Sequence, residues 1–130
     1  MFEIMEKMTL GPGIVLMKVK APLIAGKAMP GQFIMLRVSE EGERIPLTIA
    51  DYDRVEGSIT IIFQEVGYTT RELAKLDAGD FIRDFAGPLG KPSELDVQGR
   101  VLCVGGGVGI APLFPQIKYL SNRGNDVDVI

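Results

Sequence analysis

The sequence predicts a mainly β protein built from two unequal parts, and two observations support this fold class. Residues 1–97 consist of short β-rich runs separated by turns of Gly, Pro, Asp or charged residues, as in a small antiparallel barrel or sandwich. Residues 98–130 change to an apolar strand, a glycine-rich loop and a segment with helical spacing, which indicates a parallel α/β unit. We therefore expect a β domain over residues 1–97 and an α/β domain beginning at residue 98.

Six strands and one short helix are predicted in the first part. Turn signals such as Gly11-Pro12-Gly13 and Pro30-Gly31 separate the strands. The helix is predicted to begin with Thr70 as its N-cap and to present Leu73 and Leu76 on its apolar face. The predicted strands cover residues 3–9, 14–20, 32–38, 46–51, 58–65 and 80–86.

The second part is predicted to be a single β-α-β unit. A strand over residues 101–104 precedes the glycine loop, a helix carries Ile110 to Leu120, and a second strand covers residues 126–130. The small sheet of one such unit could not bury both of its faces. We therefore expect that this α/β domain is truncated.

Composition narrows the possible functions. The chain of 130 residues has a formal charge of −3 with acidic and basic residues mixed along its length, which argues against nucleic acid as a partner. Histidine is absent and one cysteine is present, so imidazole-based nucleophilic pairs, disulfides and thiolate metal sites are excluded. No catalytic side chain and no metal ligand is therefore predicted; a bound cofactor would carry any difficult chemistry.

No apolar run is long enough for a membrane span, and a cytoplasmic location is expected.

Three segments could bind a nucleotide-like ligand, and each has a plainer explanation. The run Arg44-Ile45-Pro46-Leu47-Thr48 offers a cation, a rigid turn and a hydroxyl, but an edge strand beginning near Pro would look similar. The run from Phe63 to Thr70 passes through Gly67 into a helix start suited to phosphate, although any capped helix would resemble it.

The third segment is the glycine loop from Gly105 to Pro112, which lies between a strand and a helix where a phosphate-binding loop belongs. It departs from the dinucleotide fingerprint because Ile110 stands where the third glycine is expected. A tight turn alone would explain some of its glycines.

In this order, the three segments resemble the ferredoxin–NADP reductase superfamily. They are most similar to its branch with the electron-transfer subunit of dihydroorotate dehydrogenase B and the small subunits of NADH-dependent ferredoxin:NADP oxidoreductase and sulfide dehydrogenase. The resemblance implies a six-stranded Greek-key FAD-binding barrel over residues 1–97 with one short helix, followed by the start of an NAD(P)-binding domain over residues 98–130. The residues implied for FAD are Arg44, Pro46, Leu47, Thr48, Phe63, Gln64, Glu65, Gly67, Thr69 and Thr70, and those for the nicotinamide nucleotide are Gly106, Gly107, Gly109, Ile110, Ala111 and Pro112.

The function implied by the resemblance is flavin-dependent electron transfer between NAD(P)H and an iron–sulfur carrier, such as ferredoxin, or a catalytic large subunit. Members of this branch carry a [2Fe–2S] cluster in a C-terminal segment, which the present sequence does not contain. NAD and NADP are both open. The alternative is a non-catalytic β-barrel module that binds a partner protein or a small ligand.

Overall fold

The computed structural model of this chain describes residues 1–95, 99–105 and 110–130. It contains a large antiparallel sheet in the first part and a two-stranded parallel sheet in the second. The strands are β1 Phe2–Gly11, β2 Ile14–Lys20, β3 Phe33–Arg37, β4 Arg44–Asp53, β5 Ser58–Gln64, β6 Phe81–Ile82, β7 Asp84–Leu89, β8 Arg100–Cys103 and β9 Asp126–Val129. The helices are α1 Pro22–Lys27, α2 Tyr68–Ala74 and α3 Ile110–Asn122.

The large sheet has seven strands in the order β6-β1-β2-β5-β4-β3-β7 and curls into a nearly closed barrel. Alternate residues of each strand point inward, as the period of a β-strand requires. The inward residues form a single apolar core, in which Met17, Ile34, Ile59 and Ile61 are fully buried. The predicted barrel is therefore confirmed.

The strand count differs from the predicted six because the run over residues 80–86 contributes two strands. β6 pairs with β1 through Phe2 and Ile82, whereas β7 pairs with β3 through Arg37 and Asp84. The chain bends at Arg83, whose N–H donates to the Val38 carbonyl at 3.3 Å. β6 and β7 lie at the two ends of the strand order. This short run therefore joins the two edges of the sheet.

A second helix in the barrel part, α1, was not predicted. Pro22 lies at its start, where the missing N–H costs nothing, and Ile24 and Ala25 are buried. The Arg54 guanidinium donates to the carbonyl oxygens of Ala25, Gly26 and Ala28 at 2.8 to 2.9 Å. α1 is therefore stabilised at its C-terminal end by a side chain that is distant in sequence.

The second part has the predicted β-α-β arrangement. β8 and β9 are parallel, with Val101 opposite Val127, and α3 connects them. The helix also lies against β4 of the barrel, where the Lys118 ammonium is 2.8 Å from an Asp51 carboxylate oxygen. Across the described residues, no helix combines the length and apolar character needed to cross a membrane.

The turn after β4 predicts a pH dependence of stability. One carboxylate oxygen of Asp53 accepts the N–H groups of Glu56 and Val55, both at 2.9 Å, and these bonds lower the Asp53 pKa below its ordinary 3.8. A carboxyl whose pKa is lower in the folded protein than in the unfolded chain stabilises the fold at pH values above its unfolded-state pKa. This stabilisation is lost as the pH falls through the folded-state pKa. We expect D53N to melt below wild type at pH 7, with the difference shrinking below pH 3.8. Thermal unfolding between neutral and acid pH measures this, and a pH-independent difference would contradict it.

Neighbouring residues of β5 provide a test of the core. Ile61 is fully buried, whereas the adjacent Ile62 is half-buried on the opposite face. We expect I61A to lower the free energy of unfolding by about 2 to 5 kcal/mol and I62A to lower it by less. Equal losses in chemical denaturation would show that the assignment of inner and outer faces is wrong.

Candidate functional site

The first half of β4 presents the predicted Arg44 segment on the outside of the barrel. Arg44 and Pro46 are exposed and Thr48 is half-buried. Leu47, between them, packs partly against the core. Because side chains alternate along a strand, Arg44, Pro46 and Thr48 share the outer face, and Leu47 points the other way.

The sheet opens beside this segment. Pairing between β4 and β5 extends from Asp53 and Ser58 only as far as Ile49 and Ile61. Beyond that point residues 44–48 pair with β3, and residues 62–64 pair with β2. Their facing backbone groups therefore lie outside the ladder and are available to a ligand or to water. We call this opening between residues 44–48 and 62–64 the β4–β5 split.

The start of α2 lies at the same end of the sheet. Because β4 and β5 are antiparallel, the beginning of β4 and the end of β5 are neighbours, and β5 leads through Gly67 into α2. Continuing the register of Ile49 and Ile61 would place Arg44 opposite Val66. A β-carbon built on Gly67 would meet nothing within 4 Å, so open space borders this turn.

The cap of α2 differs from the prediction. Gly67, not Thr70, is the N-cap, and Thr70 is the third helical residue. The Thr70 hydroxyl accepts the N–H groups of Gly67 at 3.0 Å and Val66 at 3.1 Å, and it donates to the Gly67 carbonyl at 3.1 Å. These bonds occupy the Thr70 hydroxyl, because a hydroxyl has one donor and two acceptor positions. The first N–H groups of the helix, which have no partner within a helix, remain the donors at this position.

A cleft of about 220 Å³ borders Thr69 on the other side of the α2 start. It lies between α2 and the connection from β3 to β4, and it is lined by Val38, Ser39, Glu41, Gly42, Tyr68, Thr69 and Glu72. In the sequence, Glu41-Gly42 has only the composition of a turn. Its proximity to α2 arises from the tertiary fold, and no local pattern indicates it.

Arg44 differs from its neighbour across the ladder. Arg37, which is paired with Arg44 in register, has its guanidinium 2.6 Å from the Asp84 carboxylate and also donates to the Glu40 carbonyl at 3.2 Å. Arg44 makes no ion pair with a described residue and is exposed. Its charge is therefore available to an anionic group placed at the split.

The remaining predicted residues fall into two groups. Gln64 and Glu65 are exposed at the end of β5, whereas Phe63 is 3% exposed and belongs to the core, so only its backbone faces the split. Of the predicted nicotinamide loop, Pro112 lies in the first turn of α3. Gly106, Gly107 and Gly109, together with the side chains of Ile110 and Ala111, lie outside the described part of the chain.

Comparison with known proteins gives a consistent result. No family model matches the chain. The dihydroorotate dehydrogenase B electron-transfer subunit homologue of Thermotoga maritima is 44% identical over 128 residues, which are 98% of this chain and 45% of that protein. The solved structure of an NADH-dependent reduced ferredoxin–NADP oxidoreductase, described in the context of flavin-based electron bifurcation, aligns with a TM-score of 0.94 at 44% identity, covering 98% of this chain and 46% of that one.

A more distant structure supports the fold alone. Phthalate dioxygenase reductase, which transfers electrons from pyridine nucleotides to [2Fe-2S], aligns with a TM-score of 0.76 at 18% identity, over 98% of this chain and 41% of that one. The matches together confirm the resemblance inferred from the ordered motifs. This chain spans about half the length of the curated relatives that it matches.

Substitution of each threonine of α2 in turn distinguishes a structural role from a ligand-binding role. We expect T70V to lower the free energy of unfolding by about 0.5 to 2 kcal/mol, the usual cost of losing a helix cap, with T70S close to wild type. T69V is the matched control, because no hydrogen bond of the Thr69 hydroxyl to a described residue is found. Chemical denaturation measures both, and an equal loss in T69V would contradict the assigned cap.

Proposed function

We propose, from the premise that this chain is a member of the ferredoxin–NADP reductase superfamily, that it binds FAD at the β4–β5 split and transfers electrons between NAD(P)H and an iron–sulfur carrier or a partner subunit. The observation that carries the proposal is the opening of the barrel beside Pro46 and Thr48. An unpaired strand edge offers backbone donors and acceptors to a planar heterocycle. Two relatives that align over nearly all of this chain support the same role: the Thermotoga maritima homologue of an electron-transfer subunit and the reduced ferredoxin–NADP oxidoreductase.

The residues around the split suit the two chemically different parts of FAD. Pro46 and the Thr48 hydroxyl would contact the ring system from the outer face of β4, and Gln64 and Glu65 would lie beside it at the end of β5. A diphosphate carries negative charge, which Arg44 and the N–H groups at the start of α2 would offset. The cleft beside Thr69 offers further room for the nucleotide end. Leu47 and Phe63 would support the ring from below because both pack into the barrel.

The chemistry would belong to the cofactor rather than to a side chain. Bound FAD would supply the coupling of two-electron transfer from a reduced nicotinamide to one-electron transfer to a carrier. The protein would bind and orient the flavin through the β4–β5 split. The segment from Gly106 to Pro112 would hold the nicotinamide nucleotide.

We assign the FAD-binding domain to residues 1–97 and the beginning of the NAD(P)-binding domain to residues 98–130. The proposed partners are ferredoxin, an iron–sulfur subunit or a catalytic large subunit, as the names of the relatives suggest. A [2Fe–2S] cluster would be held by a part of the protein outside this sequence. A cytoplasmic location is proposed with these partners.

The visible absorption spectrum tests the proposal directly. After addition of FAD and desalting, the purified chain should retain flavin absorption bands. A colourless protein that does not retain FAD would instead favour a barrel that binds a partner protein or another small ligand.

Arg44 provides a quantitative test of the same site. We expect R44A to weaken FAD binding by about 1.5 to 3 kcal/mol, or roughly 10- to 150-fold in Kd, because it removes a charge-assisted hydrogen bond to the diphosphate. The matched control is K20A, since Lys20 is exposed and lies opposite Ser58, at the other end of β5 from the split. Fluorescence titration measures both variants, and equal affinities for R44A and K20A would exclude Arg44 from the site.

A further inference from the structure

The contact between the barrel and the α/β unit contains one charged pair with defined geometry. The Lys118 ammonium of α3 lies 2.8 Å from an Asp51 carboxylate oxygen of β4. Asp51 is three residues beyond Thr48 of the proposed flavin site, and the proposed nicotinamide segment ends within the first turn of α3. The pair therefore links β4, which carries part of the proposed flavin site, to α3, in which the proposed nicotinamide segment ends.

The Asp51 side chain is held in place by the strand itself. The register of β4 against β5 shifts between Ile49 and Asp51, and such a shift redirects a side chain. The Asp51 oxygen that meets Lys118 also accepts the N–H of Tyr52 at 2.8 Å. The acceptor of this ion pair is therefore also held by a backbone N–H of β4, which restricts the direction from which Lys118 can approach.

The apolar part of the same contact is incomplete. Phe114 of α3 borders a groove of about 370 Å³ on the outer face of the barrel, beside Met8, Leu16 and Ile62. Phe114 remains 43% exposed and Met8 48% exposed. The groove provides no contacts that would select one position of Phe114 on the barrel surface, because unfilled space has no partner atoms.

We propose that Asp51 and Lys118 are positioning residues that hold the α/β unit in one orientation on the barrel. When the pair is broken, α3 samples additional positions in which Phe114 shifts over the groove. The consequence for catalysis rests on the proposed function: by fixing the orientation of the α/β unit, the pair would determine how the nicotinamide is placed relative to the flavin. The orientation itself can be measured without either cofactor.

Distances between spin labels test the orientation. The native cysteine, Cys103, is buried, so labels can be placed at T9C on β1 and S121C on α3, both exposed positions. We expect the labelled protein to show one dominant narrow distance peak with small minor populations beside it. K118M should raise the minor populations about two- to fivefold, as the strength of an exposed ion pair allows, and K118R should restore the narrow distribution.

Salt and a second ion pair provide the controls. Raising NaCl to about 0.5 M, which screens exposed charges, should move the labelled protein toward the K118M distribution and leave K118M itself unchanged. K75M is the matched control, because Lys75 forms a similarly short pair with Glu72, at 2.9 Å, at the end of α2 and away from this contact. D51N serves as a second variant should K118M fold poorly.

Identical distributions for the labelled protein, K118M and D51N would overturn the proposal, as would an equal broadening by K75M. FAD retention measured on the same samples separates this outcome from failure of the proposed function. If the protein retains no FAD but K118M still broadens the distance distribution, the positioning role of the pair stands and its proposed role in electron transfer fails.

Discussion

The ladder between β4 and β5 stops at Ile49 and Ile61, and the arrangement of the whole candidate site depends on where it stops. Up to that point the two strands are joined by backbone hydrogen bonds above a core in which both isoleucines are buried. Past it, each strand is held by its other neighbour. A barrel that stayed closed along its full length would leave no free backbone for a ligand, because every N–H and C=O would be paired within the sheet.

The split does not loosen the barrel because the first half of β4 is anchored through β3. Gln32, just before β3, is 8% exposed, and both ends of its side chain are bonded. Its amide oxygen accepts the Met29 N–H and its amide nitrogen donates to the Gly90 carbonyl, each at 2.9 Å. Buried polar groups satisfied in this way fix the local backbone. The rigid side of the split is thus tied to the segment that follows β7.

At the start of α2, the sequence predicts the position of the motif correctly, but the side chains have roles other than the predicted ones. The sequence pattern placed a helix start after Gly67, and a helix is present there. The hydroxyl of Thr70, however, is used by the backbone, whereas no hydrogen bond of the Thr69 hydroxyl to a described residue is found. Threonines one residue apart look alike in a sequence, and only the direction in which each points from the helix separates them.

Sequence alone determined the mainly β class, the positions of most strands, the helix after Gly67, the β-α-β pattern near the C-terminus and the order of the three segments by which the family is recognised. These features are encoded locally, in the alternation of apolar residues, in turn residues and in glycine placement. The tertiary structure decided that residues 80–86 form two strands, that α1 exists beneath Arg54, that the sheet opens at the β4–β5 split, and that Asp51 meets Lys118. Each of these depends on residues far apart in the chain that meet only when the barrel closes, and no local pattern specifies such a meeting.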